Sequence, residues 1–292
     1  MGKMTSSEEA RALNPIDDLM FRKMAEDVGF CEEILRVILE DNELKVLETI
    51  PQWTGTNLQG RSVILDAKCV KSDGRQVNIE VQKEDDDDHQ RRVRYNGAIL
   101  TTNISEPGTK FKNVPNVCIV FISKFDIFKG KSPIYHVDRV VRETGAVVDN
   151  GFEEIYVNTK VRNGSDVSEL MRIFVEDNAY STRFPKTSEI KRRYKIVDGG
   201  GDMGSAIERF KQEGRTEGQM EVFDKLLRKK IISYSEAADM ADMTEEDFKK
   251  KYDEYSAQID YSKFDKIVSR FIQANENRYN EVTDEAISFV QE

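Results

Sequence analysis

The segment "ILDAKCVKSDGRQVNIEVQK" (residues 64–83) decides the fold of this chain. Two runs rich in apolar residues flank Asp73-Gly74, a dipeptide that is typical of a tight hairpin turn. The pattern predicts two antiparallel strands, at about 62–71 and 75–83. Asp66, Glu80 and Gln82 interrupt these otherwise apolar runs, so their chemistry needs an explanation.

Side-chain alternation predicts which polar groups meet on this hairpin. Successive side chains of a strand point to opposite faces, so Glu80 and Gln82 share one face of the second strand. On the first strand, Ile64, Asp66 and Lys68 are expected to share a face. Counting outward from the turn brings Asp66 opposite the Glu80–Gln82 region.

Two carboxylates among apolar residues favour a metal site. A buried unpaired carboxylate is costly, and such groups usually neutralise, pair or hold a metal. Mg²⁺ is commonly held by one or two carboxylates, with water and phosphate oxygens completing its shell. Gln82 would then orient a water molecule or a phosphate oxygen. The alternative is a polar pair on a solvated sheet face, with Asp66 bonded to the backbone or to Lys68.

The rest of the first two hundred residues alternates between helical and strand patterns. A helical region beginning near residue 14 is expected to be divided at Gly29, and Asp17 or Asp18 is a plausible helix cap. Together these patterns predict an α/β core. Further strands are predicted at 45–53, 117–125, 134–141 and 154–158, and further helices at 91–104 and 166–178.

Composition limits the classes of partner. The chain has 292 residues and a net charge of −10, whereas surfaces that bind DNA or anionic membranes non-specifically are basic. A local basic groove remains compatible with this charge. Three widely separated cysteines favour a reducing cytoplasm, and no apolar run approaches the roughly 20 residues of a membrane-spanning helix. We therefore expect a cytoplasmic protein without a membrane partner.

Four regions are predicted along the chain: a flexible tail (1–13), the core (14–196), a Gly-rich linker (197–204) and a helical region (205–292). "GGGDMG" lacks the strand, helix and Lys of a phosphate-binding loop, so no nucleotide cofactor is expected. The helical region holds 14 basic and 20 acidic residues, which argues against a DNA-reading module. Its apolar positions predict a bundle seam, used for a homodimer or for packing on the core.

Several stretches together resemble one family. "NPIDDLMFRKMAED", "LDAKCVKSDGRQVNIEVQ", "RRVRYNGAIL", "VCIVFISKFDIF" and "DVSEL" follow one another in the order seen in the PD-(D/E)xK nuclease family transposases, related to the recombination-promoting (Rpn) nucleases. The resemblance covers about residues 14–195. It implies a restriction-endonuclease-like core, with a mixed central sheet flanked by helices, followed here by an all-helical C-terminal region.

The resemblance also implies roles for particular residues. Asp66 and Glu80 would be metal-binding carboxylates, and the Val81 carbonyl would be a third ligand. Gln82 stands where the wider superfamily has Lys, a variant that is usual in the transposase family, and Lys68 is the nearest candidate to supply the missing cation. Asp18 would bind the metal indirectly or would only cap a helix.

Three residues at the start of the next predicted helix are candidates for phosphate contact. Arg92 and Arg94 offer guanidinium groups suited to phosphate, and Tyr95 offers stacking or a hydrogen bond. Many relatives carry two consecutive aromatic residues here, whereas this chain has Asn96 second. The alternative is a solvated basic turn that balances the acidic stretch "EDDDD" (residues 84–88).

The function that the resemblance implies is an Mg²⁺-dependent DNA endonuclease, with Mn²⁺ as a substitute, linked to mobile elements, recombination or phage defence. A rival hypothesis is a catalytically silent protein that uses the same fold to bind nucleic acid or protein. A nuclease that acts on RNA is a third hypothesis.

Overall fold

The described part of the chain contains a six-stranded mixed sheet. The computed structural model describes residues 5–55, 62–108, 110–197 and 201–258. The strand order is β1-β2-β3-β4-β6-β5, in which β3, β4 and β6 are parallel and the other neighbours are antiparallel. The strands are β1 (Val46–Gly55), β2 (Val63–Lys71), β3 (Gln76–Gln82), β4 (Val117–Ser123), β5 (Ile134–Val137) and β6 (Phe152–Asn158).

Helices precede, interrupt and follow the strands. A 3₁₀ turn at Phe111–Asn113 leads into β4, and a π turn at Arg193–Val197 follows α6. The helices are α1 (Ser6–Ala12), α2 (Asp18–Met24), α3 (Val28–Ile38), α4 (His89–Ile104), α5 (Asp166–Val175), α6 (Pro185–Arg192), α7 (Gly201–Arg228), α8 (Tyr234–Met240) and α9 (Glu245–Gln258).

Two layers of helices bury the two faces of the sheet, which confirms the predicted α/β core. On one face, α2, α3, α5 and α6 form a four-helix layer, whose centre is three mutually packed rings, Phe21, Phe30 and Phe174. On the other face, the α4 layer packs Val93 and Leu100 against the sheet. All seven residues of β4 are buried, as a continuous apolar run in a central strand predicts.

Two helix boundaries near the N-terminus differ from prediction. Residues 6–12 of the expected flexible tail form α1, and Ala10 within it is buried. Gly29 does not divide the next helical region, because it lies inside α3. The division comes earlier, at Asp27, whose carboxylate accepts hydrogen bonds from the backbone N–H of Gly29 and Phe30 at 2.9 and 3.3 Å. Aspartate is a preferred N-cap residue because its carboxylate satisfies backbone N–H groups that have no partner within the helix.

The predicted linker also differs. Residues 198–200 lie outside the described ranges, and α7 already begins at Gly201, with Met203 buried. The chain divides into two compact units between Lys211 and Gln212, inside α7. The first unit contains the sheet. No helix within the described ranges is both long and apolar enough to cross a membrane.

The second unit has a small core of its own in residues 212–258. Phe223 packs edge-on against Phe248 of α9, with ring centroids 5.3 Å apart, and Leu227 and Ile232 join the same cluster. Part of the predicted seam is therefore used within this unit. The predicted helices at 261–277 and 283–291 lie outside the described residues, and the homodimer stays a prediction.

Candidate active site

The hairpin places Asp66 next to Glu80. Gly74 takes a left-handed conformation with φ of +86°, which suits glycine, and closes the turn. From the turn, β2 and β3 pair residue by residue without a shift in register, and the last pair of this ladder is Ala67 opposite Ile79. The next position outward sets Asp66 opposite Glu80, as counting from the turn predicts.

The alternation of β2 reverses at Asp66. Leu65 packs in the α4 layer, whereas Ala67, two positions on, packs in the four-helix layer. Across from Asp66, the β1–β2 ladder skips Gln52, whose φ is +55°. The expectation that Ile64, Asp66 and Lys68 share a face is therefore wrong, because a local backbone distortion interrupts the strand at this point.

The distortion lets the Asp66 carboxylate bridge two elements. Its Oδ2 accepts a hydrogen bond from the backbone N–H of Val81 at 2.9 Å. Its Oδ1 lies 3.3 Å from Nη2 of Arg22 in α2. Arg22 Nε in turn lies 2.6 Å from Oδ1 of Asp18, so the guanidinium joins the two carboxylates.

Asp17, not Asp18, occupies the N-cap of α2, and its side chain makes no capping hydrogen bond.

Glu80 is held on the α4 side of the hairpin. Its Oε1 accepts hydrogen bonds from the side-chain amides of Asn78 at 2.6 Å and Asn96 at 3.3 Å. Asn96, in α4, therefore supplies a second donor to the carboxylate. Asn78 Oδ1 is buried with no hydrogen-bond partner within the described residues, which leaves an unpaired oxygen close by.

Both carboxyl groups have raised pKa values. Burial raises the pKa of Glu80 from 4.5 to about 7, although the Asn78 hydrogen bond and the charges of Arg92 and Arg22 offset part of the effect. Burial also raises the pKa of Asp66 well above its ordinary value, and the neighbouring charge of Glu80 adds to this. A cation bound between the two would stabilise their charged forms.

The Val81 carbonyl faces β2, the strand that carries Asp66. Backbone groups of successive strand residues point to opposite neighbouring strands. The Gln82 carbonyl accepts from Lys124 N–H beyond β4 at 2.9 Å, so Gln82 faces β4 and Val81 faces β2. Together with Asp66 and Glu80, this carbonyl would offer a bound metal ion only oxygen donors.

This donor set fits Mg²⁺, which takes one or two carboxylates and keeps several waters. Within the described ranges, no group of three or more His, Cys, Asp or Glu side chains forms a ready-made metal cage. Two carboxylates and one carbonyl would leave the remaining positions around a hard ion to water.

Gln82 is engaged by α4 and by the acidic stretch. Its Oε1 accepts a hydrogen bond from Arg92 Nη1 at 2.6 Å, and its Nε2 donates to the Glu84 carbonyl at 2.8 Å. Arg92 Nη2 also lies 3.3 Å from both Asp86 and Asp88. The acidic stretch is thus partly an intramolecular partner of Arg92, not only a solvated loop.

Lys68 lies away from the carboxylates. Its ammonium is 5.1 Å from the centroid of the Trp53 ring, and burial lowers its pKa, an effect opposed by the charge of Glu48. The cationic group that contacts Asp66 is Arg22, which sequence reasoning missed. The spacing of Asp18 and Arg22 does predict an ion pair within one helix, but it gives no sign of the contact with β2.

The three candidates for phosphate contact do not lie together. Arg92 faces Gln82, whereas Arg94 lines a separate cavity alongside α4. Residues two apart on a helix are about 200° apart around its axis, which explains this separation. Tyr95, the residue after Arg94, is half-buried.

A family model matches the middle of the chain. Residues 28–171 match the model described as "PD-(D/E)XK nuclease family transposase". No curated protein and no solved structure gives a significant match. The matched segment includes Asp66, Glu80 and Arg92, whereas Asp18 and Arg22 precede it.

Proposed function

Through residues 28–171 the chain belongs to the PD-(D/E)XK nuclease family transposases, and from that premise we propose that it is a metal-dependent endonuclease hydrolysing phosphodiester bonds in DNA. The observation that carries the proposal is the pairing of two buried carboxylates, Asp66 and Glu80, at the end of the β2–β3 hairpin. The biological context that we propose is mobile elements, recombination or phage defence, which the family resemblance implies.

In this proposal, Asp66, Glu80 and the Val81 carbonyl hold Mg²⁺, and Mn²⁺ substitutes for it. The bound ion would lower the pKa of a water nucleophile and offset charge on the phosphodiester. The Gln82 amide orients the water or a phosphate oxygen, although its Oε1 must first exchange the hydrogen bond from Arg92.

Two guanidinium groups take the place of the superfamily lysine. Arg22, in contact with Asp66, provides positive charge close to the reacting phosphate. Arg92 contacts a neighbouring phosphate once it leaves Asp86 and Asp88. Guanidinium groups are suited to this work because they stay charged and present paired donors to phosphate oxygens.

A catalytically silent nucleic-acid- or protein-binding protein is the second candidate, and one observation favours it. The Arg22 guanidinium already pairs with Asp66 and Asp18. If this ion pair were permanent, it would replace the metal instead of assisting it.

Plasmid cleavage tests the two candidates. Supercoiled DNA is incubated with the full chain in Mg²⁺, Mn²⁺ or EDTA, and the wild type is compared with Asp66→Asn and Glu80→Gln. Asp73→Asn, in the turn of the same hairpin, is the control for loss of a carboxylate. We expect metal-dependent nicking that both site variants lose and the control keeps.

A parallel measurement separates loss of activity from loss of the site. Mn²⁺ should raise the melting temperature of the wild type and of Asp73→Asn, but not that of Asp66→Asn. Absence of both nicking and metal-linked stabilisation would favour the silent protein. An RNA substrate in the same assay tests the remaining alternative.

A further inference from the structure

An open cavity lies in the first unit, away from the two carboxylates. Its volume is about 680 Å³, and it lies beside α4, where β4 and β6 begin. This volume is within the range of small-molecule sites. Its walls include Arg94 and Thr101 of α4, Phe111 and Lys112 of the 3₁₀ turn, and Asn116 and Asn150 of the strand connections.

Two cations in its wall have no acidic partner. Among the described residues, neither Arg94 nor Lys112 takes part in a salt bridge, whereas Arg92, two residues before Arg94, pairs with Asp86 and Asp88. Arg139, the third cation of the wall, lies 3.4 Å from Glu154. The one carboxylate of the wall, Asp149, accepts a backbone hydrogen bond from Gly151 at 2.9 Å. The cavity is therefore locally basic in a chain whose net charge is −10.

An aromatic side chain stands in the open at the same place. Phe111 is 95% exposed, the largest exposed fraction among the exposed large apolar side chains of the described ranges. Phe111 directly precedes Lys112 in the sequence, and both residues line the cavity together with Arg94. An exposed ring next to unpaired cations is the combination that binds single-stranded nucleic acid, through stacking of bases and contacts with phosphate.

We propose that this cavity is an accessory site for an unpaired stretch of nucleic acid, with a base stacked on Phe111 and flanking phosphates held by Arg94 and Lys112. The inference rests on the proposed nuclease function, and it adds the class of substrate. Bases inside a duplex have no free face for such a ring, so the site selects single strands, frayed ends or flaps. Its role is to retain the substrate while a bond is cut elsewhere.

Binding without metal tests the site independently of cleavage. In EDTA, fluorescence anisotropy of a labelled oligothymidylate is measured with the full chain, with Phe111→Ala, and with Arg94→Gln/Lys112→Gln. Lys110→Gln is the matched control, because Lys110 is exposed and lies outside the cavity wall. Phe111→Ala leaves the fold intact because its side chain is almost fully in solvent.

We expect Phe111→Ala to weaken binding of the single strand by about tenfold, the size of one lost stacking contact. The double variant should weaken it further and lower the slope of binding against salt. Lys110→Gln should change little, and a duplex of the same length should be less sensitive to Phe111→Ala than the single strand.

The proposal is overturned if Phe111→Ala and Lys110→Gln bind alike, or if single strand and duplex lose affinity equally. It is also overturned if a free mononucleotide competes as well as the oligonucleotide, because the site would then serve a free nucleotide. Failure of the cleavage assay with the binding pattern intact would reject the nuclease and keep the site. Normal cleavage, together with unchanged binding in Phe111→Ala, would reject the accessory site and keep the nuclease.

Discussion

Arg22 and Asp66 form an ion pair, 3.3 Å between Nη2 and Oδ1, that joins helix α2 to strand β2. Both side chains are largely buried, with 17% and 8% of their surface exposed, so their interaction is little screened by water. The same Asp66 carboxylate is a proposed metal ligand. A guanidinium and a divalent ion therefore compete for one oxygen donor, and this leads to the first prediction.

Arg22→Gln should bind Mn²⁺ more tightly and cleave DNA more slowly. Removing the competing positive charge should raise Mn²⁺ affinity by on the order of tenfold. Loss of a preorganised cation beside the reacting phosphate should lower the cleavage rate by about tenfold or more. Calorimetric titration and single-turnover cleavage measure the two effects. Lys23→Gln, on the same helix and paired with Glu26, is the control; a fall in both quantities would contradict the competition.

Metal-free stability should depend on pH through Glu80. Folding raises the pKa of Glu80 from 4.5 to about 7. Between these two pH values, the Glu80 carboxyl keeps its proton in the folded chain and has lost it in the unfolded chain. Stability should therefore fall as pH rises from about 4.5 to about 7. Glu80→Gln should remove this part of the decline and be more stable at pH 8, by on the order of 2 kcal/mol.

Urea denaturation in EDTA at several pH values measures the Glu80 effect. Glu84→Gln removes a carboxylate from an exposed position and serves as the control. If the Glu80→Gln curve kept the wild-type slope between pH 5 and pH 7, the raised pKa would be refuted.

Asp86→Asn should strengthen binding of nucleic acid. Asp86 Oδ2 lies 3.3 Å from Arg92 Nη2 and 3.2 Å from Gln82 Nε2, so its carboxylate occupies groups proposed for phosphate. Both partners are partly exposed, and releasing them should raise affinity about two- to fivefold at low salt.

Anisotropy titration of a labelled duplex in EDTA measures this change. Glu84→Gln removes an equal charge from the same stretch, but its contact with Gln82 is made through its backbone carbonyl. Equal gains in the two variants would mean that only net charge matters.

Gly97→Ala should destabilise the protein, although alanine normally favours a helix. A Cβ at Gly97 would lie 2.2 Å from Cε2 of Phe152, which is too close for any real contact. The ring or α4 must shift, at a cost of about 1–3 kcal/mol. Gly218 in α7 has nothing within 4 Å of its added Cβ, so Gly218→Ala should gain up to about 1 kcal/mol.

Thermal and urea unfolding of the two glycine variants give opposite signs if the contact with Phe152 is the cause. Gly97→Ala/Phe152→Leu should recover part of the loss, because the shorter side chain leaves room for the new methyl group. Destabilisation of Gly218→Ala to the same extent would point instead to a general effect on helices.

The parts of the site that depend on local spacing could be predicted from the sequence. The Asp73-Gly74 turn fixes the register of β2 and β3, and from this register follows the meeting of Asp66 and Glu80. The burial of β4 followed from its uninterrupted apolar run. The separation of Arg92 from Arg94 could also have been derived, since helix geometry alone places them on different sides.

The parts that depend on distant packing could not be predicted. Arg22 meets Asp66 across 44 positions of sequence, and only the docking of α2 on the sheet brings them together. The reversal of side-chain alternation at Asp66 lies opposite Gln52, whose left-handed conformation is uncommon for a residue other than glycine. Strict alternation through that point would place Lys68 on the face of Asp66, and the reversal turns it toward Trp53 instead.

The pairing of Arg92 with Asp86 and Asp88 has a consequence for how the protein responds to ionic strength. A cation that meets a DNA phosphate normally frees condensed counterions, and this makes binding weaken steeply with salt. When Arg92 moves to a phosphate, it leaves two carboxylates that attract cations back from solution. Asp86 and Asp88 therefore take up part of the cations that the DNA releases, so fewer cations are released overall. The affinity that Arg92 contributes should consequently depend only weakly on salt concentration.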